Sequence, residues 1–461
     1  MALLHSGKTS LWMQHLFSYT TPTKLRPTAW LDGLRGVAAF EVTLFHYADV
    51  WTLTDMAYGV EGSRGQWLRL PMIRSFYNSG RAMVCVFFVI SGIVLTQRTL
   101  MLLRRHDMEA AYSSLTSSVF RRALRLFPSP VISTFMALLL FRIFRIQPFG
   151  SNEETVPYFP SILDQIAHWT KDTVRYLNLF EPNLKSAIVE GQFIGHAYAN
   201  IVWTIPMEFA GSLACYIQVL GTAKLQPRVR NAVLLGTALW AIMTYRWALF
   251  NFNIGIILGD VMLAESLEST QSASHHSKLG YILLFLAGIY MAGMPMRGPL
   301  DSHEPAFGYN TIWRLTPERL LNFNFNFTWW SLAGIAILWS CYRLAFLRRI
   351  LEGGFCQYLG KLSFAIYLTH IMVRDCIGQQ LKTILLYQFG CDEASSAIRQ
   401  TIPLLLWYAV LLVVTFFVSG LFEKHIDVHV IQFAKYVEER MTALDKAPAD
   451  VPLQTLPTAS V

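Results

Sequence analysis

The sequence predicts an all-α protein, a polytopic membrane helix bundle with about ten transmembrane helices. Hydrophobic residues fill 53% of the 461 positions and charged residues only 15%, whereas soluble domains carry about a quarter charged. Mean hydropathy is +0.37. The apolar residues also gather in runs of about 20, the length at which a helix rising 1.5 Å per residue crosses the hydrocarbon.

The runs lie near Trp30–Val50, Arg81–Leu102, Leu126–Arg145, Ala197–Gly221, Asn231–Phe250, Phe252–Ser266, Leu279–Pro295, Asn326–Leu347, Leu359–Leu381 and Ile402–Phe422. The sixth is short and follows the fifth almost at once, as a tight antiparallel reversal allows. With 31 Phe, 19 Tyr and 13 Trp, the chain has the aromatic content expected where many helix ends meet headgroups. The alternation from Asn322 to Trp330 reads as part of that girdle.

Disorder, collagen and coiled coil are excluded by this composition. An excess of 38 Lys and Arg over 30 Asp and Glu gives +8. The basic residues sit in short loops between apolar runs, so topology accounts for them and no nucleic-acid partner is expected. Their bias favours both termini in the cytoplasm, although Glu265–Lys278 dissents with two Glu and one Lys. The organisation expected is a cytoplasmic segment over 1–29, a transmembrane domain over 30–425 and a cytoplasmic tail over 426–461. That tail is expected to be disordered from about 442, where Ala, Pro and Thr dominate. No removable signal peptide is visible before the first span. The stretch 147–196 falls outside, long enough to be a lid or a disordered connection. Asn326 opens a formal glycosylation triplet, but it adjoins a span and its use is not expected.

Six cysteines show no CxxC pair, so neither a zinc site nor a disulfide framework is indicated, and no metal is expected. Cys376 and Cys391 fall on the same outer side and are a candidate pair.

Ionisable groups inside spans are expensive and therefore functional candidates. In the first span Asp32 can cap the helix start and pair with Arg35. Arg35 and His46 are eleven residues apart, three turns plus about 20°, so they share one face with a rise of about 16 Å between them. That stripe suits a long anionic donor held by its phosphates at the arginine, its reactive end reaching a base at depth. The alternative is a snorkelling Arg35 and a His46 that hydrogen-bonds a neighbouring helix. Glu41 points elsewhere and reads as a packing or pairing residue.

Arg121, Arg122 and Arg125 share a helical face before the third span. They could grip phosphate oxygens or simply mark the cytoplasmic side. Glu208 in the fourth span could relay a proton or pair with Arg246. His370 in the ninth span and Glu423 with His425 at the end of the tenth are weak candidates alone.

Together these segments resemble the acyltransferase-3 family of integral membrane O-acyltransferases. The opening from Leu31 through Arg35 to Leu44-Phe-His46 is similar to that family's first span. Phe87 to Gly92, Arg121-Arg-x-x-Arg125 with Pro128, Trp203-x-x-x-x-Glu208, Phe252 to Gly255, and Leu359 to Ser363 through Tyr367-Leu-Thr-His370 follow in the family's order, with Glu423 closing the last span. Glu41 departs from a usually apolar position, and Glu423-Lys-His departs from a pattern in which proline commonly follows. The family's fused esterase-like domain is not seen, so the chain resembles the stand-alone form.

The resemblance implies transfer of an acyl group, most often acetyl, from an acyl-CoA co-substrate to a hydroxyl-bearing acceptor, with no bound cofactor. It makes His46 the general base or, failing that, a transient acyl carrier. Arg35, Arg121, Arg122 and Arg125 would bind the donor phosphates. Glu208 and Glu423 would orient the imidazole or relay protons, with Trp203 and His370 in support. Family members act on glycans, lipids, macrolides and other secondary metabolites, and the sequence does not choose among them. A permease using Arg35, His46 and Glu208 as a polar path is the competing expectation.

Overall fold

The computed structural model describes residues 25–51, 66–148, 156–178, 195–267, 275–295, 308–316, 325–392 and 395–442. Among the described residues every regular element is helical, and an isolated bridge pairs His196 with Ala199. The principal helices are α1 (Ala29–Val50), α2 (Gly80–Arg104), α3 (Met108–Leu126), α4 (Pro128–Phe144), α5 (Ile162–Leu177), α6 (Thr204–Gly221), α7 (Pro227–Met243) and α8 (Trp247–Leu267). They continue as α9 (His275–Ala292), α10 (Phe325–Arg343), α11 (Ala345–Leu351), α12 (Gly354–Val373), α13 (Gln379–Gln388), α14 (Ala397–Phe422) and α15 (Val428–Thr442).

Each predicted apolar run overlaps a helix, although the fifth crosses a break at Thr244–Arg246 and the eighth one at Leu344. Among the described residues, length and composition qualify fewer helices to cross a membrane. Gly80–Arg104, Met108–Phe144, Trp247–Leu267 and Ile398–Thr442 meet that standard, and a fifth candidate is Asn326–Arg343 joined to Ala345–Leu351 through a 99° bend. The first predicted span is too polar to qualify, because α1 carries Asp32, Arg35, Glu41 and Asp49. Outward faces are apolar: α14 exposes Leu405, Val413 and Phe417, and α7 exposes Leu239 and Trp240. Apolar surface of this extent is what lipid covers.

α1 lies along α12 and also packs on α2, which in turn packs along α8. Glycine sets both approaches. A Cβ on Gly36 would collide with the Gly360 backbone, and one on Gly360 would strike the Asp32 carbonyl. Gly92 of α2 and Gly255 of α8 face each other in the same way. Small residues at crossing points are the usual means of close helix contact in membranes.

Polar staples lock the bundle. Fully buried Asp260 accepts from Arg104 Nε at 2.7 Å, from Arg230 at 3.1 Å and from Asn231 at 3.1 Å, tying α8 to α2 and α7. Both α12 and α14 end in a π-helical turn, Arg374–Gly378 and Glu423–Asp427, a local widening frequent at functional sites.

Part of the expected outer loop is ordered. Ser161 caps α5 by accepting from Leu163 N and Asp164 N. Asp172 takes Ala197 N at 2.6 Å and Arg175 at 2.6 Å, and its other contact is His196 Nδ1 at 3.4 Å. His196 Nδ1 also accepts from Tyr198 N at 3.2 Å, which leaves Nε2 to donate to Thr173 Oγ1 at 3.0 Å. Residues 149–155 and 179–194 of this loop lie outside the described residues, as does the tail beyond 442. All six cysteines are free, so Cys376 and Cys391 do not pair.

Candidate active site

α1 turns the same face to α12 at both ends of its charged stripe. Near its start Arg35 Nη2 donates to the Gly360 carbonyl at 3.0 Å, with Asp32 at 3.7 Å. Asp32 also holds Arg26 at 2.8 Å. Near its end His46 lies beside His370, ring centroids 5.4 Å apart. Ten residues of α12 separate Gly360 from His370, close to the eleven of α1 that separate Arg35 from His46, so the two helices run in register past each other.

The surroundings of the two ends differ. Around His46 stand His370 and Arg374 from α12 and its π turn, Arg81 from α2, and Asp49, whose carboxylate is 4.0 Å from Nδ1. Arg374 donates to the His46 carbonyl at 3.4 Å and is held by Asp375 at 2.7 Å. Arg81 lies over the rings of Phe45 and Trp330 at 4.8 and 5.6 Å. At the other end, Arg35 and Arg125 are both within electrostatic reach of Asp427, which accepts from Ser129 Oγ at 3.1 Å. Glu423 sits in the same turn as Asp427 and reaches Lys361 at 3.7 Å.

The three arginines of α3 do not converge. Arg122 turns to α6, where Glu208 is 2.5 Å from Nη2 and Ser212 Oγ is 2.8 Å from Nε. Arg121 pairs with Glu438 of α15 at 3.1 Å. Arg125 faces Asp427 and Arg35. The expected alternative partner of Glu208, Arg246, instead stacks over Trp240 at 4.8 Å. Glu41, the departure in the first span, accepts from Ser79 Oγ at 2.9 Å. Asn326 of the formal glycosylation triplet is buried.

Two quoted motifs meet at Tyr367. Its hydroxyl shares a hydrogen bond with Thr204 at 2.6 Å and donates to the Ile201 carbonyl, which fixes the turn Asn200–Trp203 that precedes α6. Trp203 leaves that turn edge-on to Trp247 at 6.4 Å. Sequence reasoning missed Arg374, Asp427 and Glu438. Arg374 was marked by its charge inside the run Leu359–Leu381, whereas Asp427 sits in a π turn past the last apolar run and Glu438 on the amphipathic helix beyond it.

Comparison with known proteins agrees with this arrangement of motifs. The acyltransferase-3 family, described as an acyltransferase domain, matches residues 28–424. O-acetyltransferase PaAT-1 of Phomopsis amygdali is 27% identical over 453 residues, covering 92% of this chain and 87% of the relative. Acyltransferase clz18 of Cochliobolus lunatus is 23% identical over 454 residues, covering 87% and 93% respectively. Acyltransferase R4 of Phoma sp. (strain ATCC 20986 / MF5453) is 23% identical over 478 residues, covering 92% and 97%. No solved structure matches the chain. With its motifs in family order and its helices apolar enough for lipid, the chain belongs to the acyltransferase-3 family of acyl-transferring membrane proteins.

Proposed function

We propose that this protein is a ten-span membrane O-acyltransferase with both termini in the cytoplasm, moving an acetyl group from acetyl-CoA to the hydroxyl of a small-molecule, lipid or glycan acceptor. The observation that carries the reading is the shared stripe of α1: Arg35 and His46 both face α12, one beside Gly360 and the other beside His370. A rise of about 16 Å along eleven residues suits the long arm that separates the CoA phosphates from its thioester. The name of the Phomopsis relative supports acetyl as the group and oxygen as its destination.

In this reading the donor enters from the cytoplasm. Arg35 and Arg125 hold its phosphates, because guanidinium forks match phosphate oxygens. Among the described residues, Arg35 meets a carboxylate only at 3.7 Å, on Asp32, while Arg125 has Asp427 within electrostatic reach. Arg121 and Arg122 contribute positive potential from behind their own ion pairs. His46 removes the proton of the acceptor hydroxyl. The oxygen attacks the thioester carbonyl carbon, the carbon–sulfur bond breaks, and the proton passes to the thiolate, leaving an ester and free CoA. Glu208, Trp203 and Glu423 keep supporting parts in shaping the helices that carry these groups.

The test is turnover by the purified full-length protein in lipid nanodiscs with acetyl-CoA and a panel of hydroxylated lipids, glycans and polyketides. The expected result is an acceptor that gains an acetyl mass together with stoichiometric thiol release. Reconstituted vesicles that move solute without consuming thioester would return the permease reading.

A further inference from the structure

We propose that His370 is the positioning residue of His46: its Nε2 lone pair accepts the N–H of the His46 ring and holds the opposite nitrogen toward the acceptor hydroxyl. The inference rests on the reading of His46 as base and adds the group that makes its proton transfer directional.

His370 is fully buried on α12. Its Nδ1 is 2.9 Å from the Ile366 carbonyl. A carbonyl only accepts, so Nδ1 carries the proton and Nε2 is a bare acceptor. That Nε2 is enclosed and has no hydrogen-bond partner among the described residues. Buried acceptors are nearly always satisfied, and an exception calls for a reason. The ring beside it is His46, 5.4 Å away between centroids. Two imidazoles joined by an N–H···N bond of about 2.9 Å have centroids roughly 5 Å apart, so an approach of a few tenths of an ångström closes the bond.

The chemistry favours a neutral partner here. A carboxylate would have to be buried as a charge throughout the cycle, whereas an imidazole brings none until the proton arrives. Arg374 and Arg81 beside His46 carry only donors, so the imidazolium formed during turnover needs another group to accept its N–H. Asp49 is the rival. Its carboxylate is 4.0 Å from Nδ1, beyond hydrogen-bond reach, and it is about a third exposed. His370 is held from behind instead: Tyr47 donates to its carbonyl at 3.4 Å, and Thr369 bonds Ser419 at 2.8 Å.

The experiment is nitrogen NMR of the full chain with labelled histidine in detergent micelles, His46 being assigned by its loss in His46→Gln. The expected wild-type spectrum shows His46 in a single tautomer with its N–H bonded to an imidazole nitrogen. His370→Phe should mix the two tautomers and lower the proton affinity of His46 about tenfold. His370→Gln, whose amide oxygen still accepts, should restore both. An even tautomer mixture in the wild type would overturn the proposal, as would wild-type behaviour in folded His370→Phe. Tautomer mixing in Asp49→Asn with none in His370→Phe would transfer the role to Asp49. Full turnover in His46→Ala would instead sink the base reading, while normal His46 spectra in His370→Phe beside an inactive His46→Ala would sink only the pairing.

Discussion

Arg122 and Glu208 meet at 2.5 Å across the interface of α3 and α6, with Ser212 completing the guanidinium's bonds. Two residues that the motifs assign to phosphate binding and proton relay are thus committed to each other. Both side chains are about 15% exposed, so breaking the pair leaves a largely desolvated charge, at a cost of roughly 1 to 3 kcal/mol. Arg122→Met and Glu208→Gln alone should each lower the unfolding temperature in detergent, and the double variant should recover part of the loss. Additive losses in that double-mutant cycle would show that the pair contributes no coupling.

For the reaction itself, His46→Ala should reduce kcat by about 10²- to 10⁴-fold, the usual contribution of a general base. Expression and the unfolding temperature should stay near wild type, because His46 borders other polar groups rather than filling an apolar core. Turnover at the wild-type rate would remove the residue from the mechanism.

Arg35 and Arg125 separate from their neighbours in kinetics. Each lost charge-assisted bond to a phosphate is worth about 1.5 to 3 kcal/mol, or roughly 10- to 100-fold. Arg35→Ala and Arg125→Ala should therefore raise the KM for acetyl-CoA by that factor with kcat little changed. Arg121→Ala should act mainly by freeing Glu438 of α15, with a smaller rise in KM. An equal effect of all three would mean that the cluster acts through summed potential alone.

Much of this arrangement was legible in the sequence, and the limits have physical causes. Helices could be found because apolar runs report burial in lipid or core directly. Arg35 and His46 could be placed on one face because helical periodicity is rigid over eleven residues. Glu208 could not be given its partner, since Arg246 lies within a predicted span and Arg122 just before one, and only helix packing chooses between them. The Asp260 staple was missed although its signal was present, an acid inside the apolar run Phe252–Ser266. The widening at Arg374–Gly378 and Glu423–Asp427 left no signal of its own, because one extra residue per turn hardly disturbs an apolar pattern, although Arg374 and Asp375 are, like Asp260, charged residues inside an apolar run, Leu359–Leu381.

The clasp at His196 gives a pH dependence. Burial pushes its imidazole down to about 4 from 6.5, against the opposing pull of Asp172. Above pH 6.5 folded and unfolded chains are both neutral there. Between about 6.5 and 4 the unfolded chain takes a proton that the folded clasp refuses, so stability falls with pH by up to about 3 kcal/mol. Proteolysis within α5 should therefore accelerate as pH drops from 7 to 4.5, and His196→Asn should flatten the profile. A pH-independent cleavage rate in the wild type would show that the clasp does not titrate in this window.

The contact of α1 with α12 is the most exacting feature of the site, and Gly360 tests it. In an ordinary helix interior Gly→Ala stabilises by about 1 kcal/mol. Here the added methyl would strike the Asp32 carbonyl, which is backbone and cannot rotate away, and overpacking of this kind costs about 1 to 3 kcal/mol. The Gly360 carbonyl is also the acceptor for Arg35, so relief of the clash moves the guanidinium relative to the His46 end of the stripe. Gly360→Ala should thus lower the unfolding temperature and raise the KM for acetyl-CoA, while Gly354→Ala, where a Cβ meets nothing within 4 Å, should do neither. Stabilisation by Gly360→Ala with unchanged kinetics would mean that the two helices can part without disturbing the proposed donor site.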